Sequence, residues 1–131
     1  MRLAGNIHDA WRNDGEQGAK DSRCRSPITI TPNPQRLVVK IAGQIVADTR
    51  NALTLVEASY GPVQYIPRSD VDMSTLERSE HTTYCPYKGE CAYYSAVEGR
   101  PNVAWTYEEP YESVTSIKNY LAFYADRVDL P

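Results

Sequence analysis

Beyond Pro27 the texture of the chain changes to short apolar runs, alternating with polar residues at the start and rich in β-branched side chains after it, and such runs between turn residues predict strands. Ile28-Thr29-Ile30-Thr31 alternates in this way and is stopped by Pro32-Asn33-Pro34, as expected of a short strand ending in a turn. Leu37-Val38-Val39-Lys40-Ile41 and Gln44-Ile45-Val46-Ala47-Asp48 flank Ala42-Gly43 and read as a tight hairpin. Ala52-Leu53-Thr54-Leu55-Val56-Glu57 is ambiguous by period. It is short and uncapped, which favours a strand that Tyr60-Gly61-Pro62 ends. Val63-Gln64-Tyr65-Ile66 is strand-like again, and Pro67 pushes Ile66 towards an extended conformation.

Asp70-Val71-Asp72-Met73-Ser74-Thr75-Leu76 has room for one helical turn. Cys91 to Val97 and Val103 to Tyr107 form a predicted strand pair about Glu98-Gly99-Arg100-Pro101-Asn102. Pro110, Glu112 and the spacing Val114, Ile117, Leu121 predict a short amphipathic helix, and Leu121-Ala122-Phe123-Tyr124 begins a last strand. Seven or eight short strands with one or two short helices make a mainly β, small single domain of packed or partly closed antiparallel sheets.

Residues 1–26 break this texture. They are polar and charged, are interrupted by Asn13-Asp14-Gly15 and Gln17-Gly18, and carry Trp11 as their large apolar anchor. They read as an N-terminal arm or extension before a domain over residues 27–131. The first residues have no apolar core of the secretory kind, and the apolar runs are too short to span a bilayer. The expectation is a cytoplasmic protein with no membrane partner.

Composition adds three limits. A chain of 131 residues with 41% hydrophobic and 24% charged residues suits a single core. The net charge of −3, without a dense Lys/Arg run, disfavours nucleic acid as a partner, because phosphate binding needs a basic surface. Three cysteines, Cys24, Cys85 and Cys91, lack framework spacing and suit reduced thiols. Ten tyrosines against one phenylalanine supply many hydroxyls that need partners when buried.

Chemistry concentrates in His81-Thr82-Thr83-Tyr84-Cys85-Pro86-Tyr87-Lys88-Gly89. Cys85 is a candidate nucleophile with His81 as its base. A strand would separate the two by roughly 13 Å, and Pro86 disfavours the helical turn that would bring them together. Lys88 is a cation that can favour the Cys85 thiolate. His81, Cys85 and Cys91 have the chemistry of zinc ligands without the spacing, and only Cys24 or His8 could complete a set. Lys88-Gly89 lacks the glycine-rich run of a phosphate-binding loop. Asp70 and Asp72 could face one magnesium ion, but a helix cap explains them better. No motif calls for a cofactor. His81, Thr83, Tyr84, Tyr87 and Lys88, with Trp105 and Tyr107 downstream, have the composition of a ligand pocket, and equally that of an aromatic core with hydroxyls at its rim.

Val63-Gln64-Tyr65-Ile66-Pro67-Arg68-Ser69-Asp70-Val71, the stretch from His81 to Gly89, Trp105-Thr106-Tyr107-Glu108-Glu109-Pro110-Tyr111, and Leu121-Ala122-Phe123-Tyr124-Ala125-Asp126-Arg127-Val128 resemble the motifs of the bacterial domain-of-unknown-function family 427. The resemblance runs from about Ile28 to the end and implies a small, β-rich, soluble domain of unassigned activity. It singles out His81 to Gly89 with Tyr65, Pro67, Arg68, Trp105 and Tyr107. A nucleotidyltransferase label for the family would draw attention to Asp70 and Asp72, but the glycine-serine loop that such enzymes place before their carboxylates is absent.

Three readings follow. In the first, a binding domain receives a small polar or anionic molecule near Lys88, with Tyr65, Arg68, Thr83, Tyr84, Tyr87, Trp105 and Tyr107 around it. In the second, an enzyme uses Cys85 as nucleophile or redox thiol. In the third, an interaction module works through a sheet edge or the arm around Trp11. A homo-oligomer is compatible with all three.

Overall fold

The computed structural model describes residues 28–57 and 60–129, and the expected arm over residues 1–26, with His8, Trp11 and Cys24, lies outside them. Nine strands are formed among the described residues: β1 (Ile28–Asn33), β2 (Leu37–Ile41), β3 (Gln44–Thr49), β4 (Ala52–Glu57), β5 (Val63–Tyr65), β6 (Leu76–Cys85), β7 (Gly89–Ala96), β8 (Ala104–Thr106) and β9 (Leu121–Phe123). All strand pairs are antiparallel, in sheets ordered β1-β4-β5, β2-β3 and β6-β7-β8-β9. Paired backbone hydrogen bonds between Ile66 and Leu121 tie the end of β5 to β9, so the first and third sheets meet at that seam.

The four-stranded sheet is the centre, because its residues alternate between two apolar clusters. Tyr94, Ala104, Leu121 and Phe123 pack with Val39, Ile41 and Val46 of the β2-β3 hairpin. Tyr93, Trp105 and Ala122 point the other way and pack with Leu55, Val63 and Tyr65 of the β1-β4-β5 sheet. Period-two alternation in a sheet buried on both faces produces this division.

Most elements lie where the residue pattern puts them. The β2-β3 turn uses Ala42 and Gly43, both at positive φ (53° and 83°), which matches the twist of a two-residue hairpin. β1 runs through Pro32 to Asn33, further than the predicted stop; as an edge strand it tolerates a missing N–H on its outer side. Asp72 caps a short 3-10 turn, Met73–Thr75, by accepting from the Ser74 N–H, while Asp70 accepts from the Thr49 hydroxyl at 2.6 Å. The two carboxylates are thus engaged separately.

Two elements differ from expectation. The amphipathic helix is a 3-10 segment, Glu112–Ile117, kinked at Val114. It still buries Val114 and Ile117, but Asn119 at φ 64° reverses the chain and Leu121 belongs to β9. Ser, Thr and Val are weak helix formers, and six residues are too few for propensity to dominate. The second difference is β6, ten residues long and the longest strand, in a polar stretch whose pattern alone does not announce it. No helix among the described residues is long and apolar enough to cross a membrane.

Candidate functional site

Strand β6 divides the central motif between two faces. His81, Thr83 and Cys85 point towards the Trp105 cluster, whereas Tyr84 is exposed on the opposite side and its hydroxyl bonds that of Tyr111. The Thr83 hydroxyl lies 2.9 Å from that of Tyr93, and the His81 ring packs 4.5 Å from the Tyr93 ring. Four strand residues span roughly 13 Å, so His81 and Cys85 share a face without meeting. Arg68 also lies apart. It donates to the Tyr94 hydroxyl at 3.1 Å and covers that ring, in the other cluster.

Lys88 is the centre of what remains. Pro86, Tyr87 and Lys88 form the turn between β6 and β7, closed by the Cys85–Gly89 pair. Gly89 has φ 112°, and a Cβ there would lie 3.3 Å from the Glu109 carbonyl oxygen, so the β6-β7 turn and the 109–111 segment pack backbone to backbone. The Tyr111 N–H donates to the Lys88 carbonyl at 3.0 Å and locks this contact. The Lys88 side chain is thereby turned inward. Its ammonium lies 2.8 Å from Glu57 Oε1, with both side chains about 95% buried, 3.7 Å from Cys85 Sγ, and 5.9 Å from the Tyr107 ring centroid.

Glu57 ends β4, and its residue pattern carried a signal: Leu53, Leu55 and Glu57 follow one another at period two, with Leu55 and Glu57 both buried. Tyr93, between Thr83 and His81, is a second residue that motif reasoning passed over.

The aromatic residues complete the surroundings. Trp105 Nε1 donates to the Tyr65 hydroxyl at 3.2 Å, the two rings meet edge to face, and the Trp105 ring lies 4.6 Å from that of Tyr124. Tyr65, Trp105 and Tyr107 are fully buried, and Tyr87 packs half-buried against them. The structure therefore gathers Tyr65, Thr83, Cys85, Tyr87, Lys88, Trp105 and Tyr107 on one side of the central sheet, with His81 at the margin. Tyr84 and Arg68 are not brought to it. Two surface hollows of about 460 and 480 Å3 lie elsewhere, one beside Ile41, Val46 and Val97, the other beside Arg100, Asn102 and Arg127.

Cys85 and Cys91 are both buried, and neither forms a disulfide. Cys91 opposes Thr83, and Cys85 opposes Gly89, so the cysteines are diagonal neighbours on the ladder, about 7–8 Å apart and too far for a disulfide. Among the described residues no cluster of three or more His, Cys, Asp or Glu side chains could hold a metal ion. Burial pushes the Cys85 thiol up, against the pull of the Lys88 ammonium and of the Tyr87 and Lys88 backbone N–H groups. Burial pushes Cys91 up to about 12, against hydrogen bonds with Tyr93, Thr83 and Tyr107, and it raises the Tyr65 and Tyr107 phenols as well.

These shifts predict alkaline instability. Below the ordinary thiol value of 9.0, Cys91 is protonated in the folded and unfolded chain alike; between 9.0 and about 12 only the unfolded chain has released its proton, so stability falls as pH rises through that window. One such group contributes a slope of about 1.4 kcal/mol per pH unit. Urea unfolding followed from about pH 8 to about pH 11 should show this decline, and Cys91→Ala should flatten it by one group's share.

A protein-family profile described as a domain of unknown function, DUF427, matches residues 29–131. No curated protein matches the chain.

Proposed function

The chain belongs to the DUF427 family, a domain of unknown function, and from that premise we propose that it binds a small polar or anionic molecule beside Lys88. The buried Lys88–Glu57 pair carries this reading. A desolvated ion pair is no better for stability than apolar side chains of the same volume and is often worse, so folding energy alone is a weak reason for it to be there. In low dielectric the ammonium attracts an anionic group far more strongly than a surface lysine would. A carboxylate or phosphate entering the site competes with Glu57 for Lys88. The aromatic faces of Tyr107 and Tyr87 provide the apolar remainder of a small-ligand site. The enclosure favours a molecule of few atoms.

The test is thermal unfolding of the full chain with a panel of small carboxylates, phosphate monoesters and inorganic phosphate. A panel member at a hundredfold excess over its Kd should stabilise the protein by about 2.7 kcal/mol. The doubly substituted Lys88→Met/Glu57→Leu protein, which keeps the packing without the charges, should show no such shift. A panel that leaves the wild-type midpoint unchanged, or shifts both proteins equally, refutes the reading.

A further inference from the structure

We infer that Cys85, Lys88 and Glu57 form a nucleophile, cation and base set that takes up the acyl group of small carboxylic esters or amides on sulfur. The inference rests on the binding reading and names the substrate class of the same site. Its basis is positional. The three groups come from the end of β4, the end of β6 and the turn that follows, and one ammonium lies within contact of both the carboxylate and the sulfur. The turn holds the Lys88 ammonium 3.7 Å from the Cys85 sulfur, while the Lys88 N–H donates to the Cys85 carbonyl at 3.2 Å and fixes the turn. A cation held beside a nucleophile also stabilises negative charge that develops next to it.

The roles follow from the surroundings. Burial disfavours the thiolate, so attack requires a base, and Glu57 is the carboxylate that shares the Lys88 ammonium with Cys85. The Glu57 carboxylate takes the S–H proton as the sulfur bonds to the acyl carbon. The C–O or C–N bond to the leaving group then breaks, and the leaving alcohol or amine departs with that proton. Water completes the cycle: one O–H proton goes to Glu57, the hydroxyl bonds to the acyl carbon, the thioester C–S bond breaks, and the sulfur recovers its proton from Glu57. Lys88 remains charged throughout and sits beside the sulfur and the carbonyl oxygen bound to it. His81 takes no part, since strand geometry keeps it from the thiol.

The experiment uses p-nitrophenyl acetate on the full chain. The expected result is a burst of p-nitrophenolate equal to one per chain, with one acetyl group mapped to Cys85 by peptide mass spectrometry. Cys85→Ser, nearly isosteric, should abolish the burst. Glu57→Gln, checked for folding by its thermal midpoint, should slow acylation roughly a hundredfold. Should Glu57→Gln not fold, Cys85→Ser and the mapped position decide the matter. No burst, a burst that survives Cys85→Ser, or acetylation mapped to Cys24 or Cys91 overturns the inference. If ligand-dependent stabilisation persists in that case, the binding reading stands and only the chemistry fails; if both are absent, both fail.

Discussion

Replacing Lys88 by Met should destabilise the protein by about 3–5 kcal/mol, because the substitution keeps an unbranched side chain in place but strands the Glu57 carboxylate without its partner. Glu57→Leu should do the same from the other side, leaving a buried ammonium. The double substitution Lys88→Met/Glu57→Leu should return close to wild-type stability, since apolar groups of similar volume tolerate the site. Urea unfolding checks all three, with midpoints moving at constant slope if the folded states stay compact. An exposed pair would contribute at most about 1 kcal/mol, so two single variants that both lose less than that amount would show that the pair is solvated.

The second large effect is expected at Trp105. Truncation to Ala removes the largest fully buried side chain among the described residues, between Tyr65 and Tyr124, and takes away the indole N–H that bonds the Tyr65 hydroxyl. A large aromatic deleted from a close-packed interior costs about 3–5 kcal/mol. Trp105→Phe restores part of the volume without the donor and should recover part of that loss. Tyr84→Ala is the contrast: the ring is 54% exposed on the other face, and its removal should change stability by no more than about 0.5 kcal/mol. Urea midpoints of the three variants give the comparison. A Trp105→Ala protein as stable as Tyr84→Ala would contradict the packing of the central sheet.

Strands β1 to β5, β7, β8 and β9 were legible because their short apolar runs, rich in β-branched and aromatic residues and alternating in β1, stand between Pro, Gly and Asn punctuation. β6 was not. Of its ten residues only Leu76 and Cys85 are buried, and the inward set between them, Ser79, His81 and Thr83, is polar and half-buried. An edge strand with one wet face needs few apolar residues, and its apolar partner β7 supplies the reason it pairs at all. The helix expected beyond Pro110 failed differently: Val114, Ile117 and Leu121 have helical spacing, but Leu121 is held in β9 by its hydrogen bonds to Ile66 and by its pairing with Thr106.

The site was legible to a similar depth. Lys88, Cys85 and Tyr107 stood out as residue types, and they meet. Glu57 did not stand out: its period-two spacing from Leu53 and Leu55 places it on their face of β4, but the spacing does not name the buried cation that would meet it there.

Composition and local period were enough to establish an all-antiparallel β domain and the segment carrying its reactive side chains, since both depend on residues a few positions apart. The union of Glu57 with Lys88, thirty-one residues away, and the separation of Tyr84 and Arg68 from that pair depend on sheet order and on which face each strand turns inward. Those are decided by contacts between segments remote along the chain, and a shift of one residue in register would exchange one face for the other.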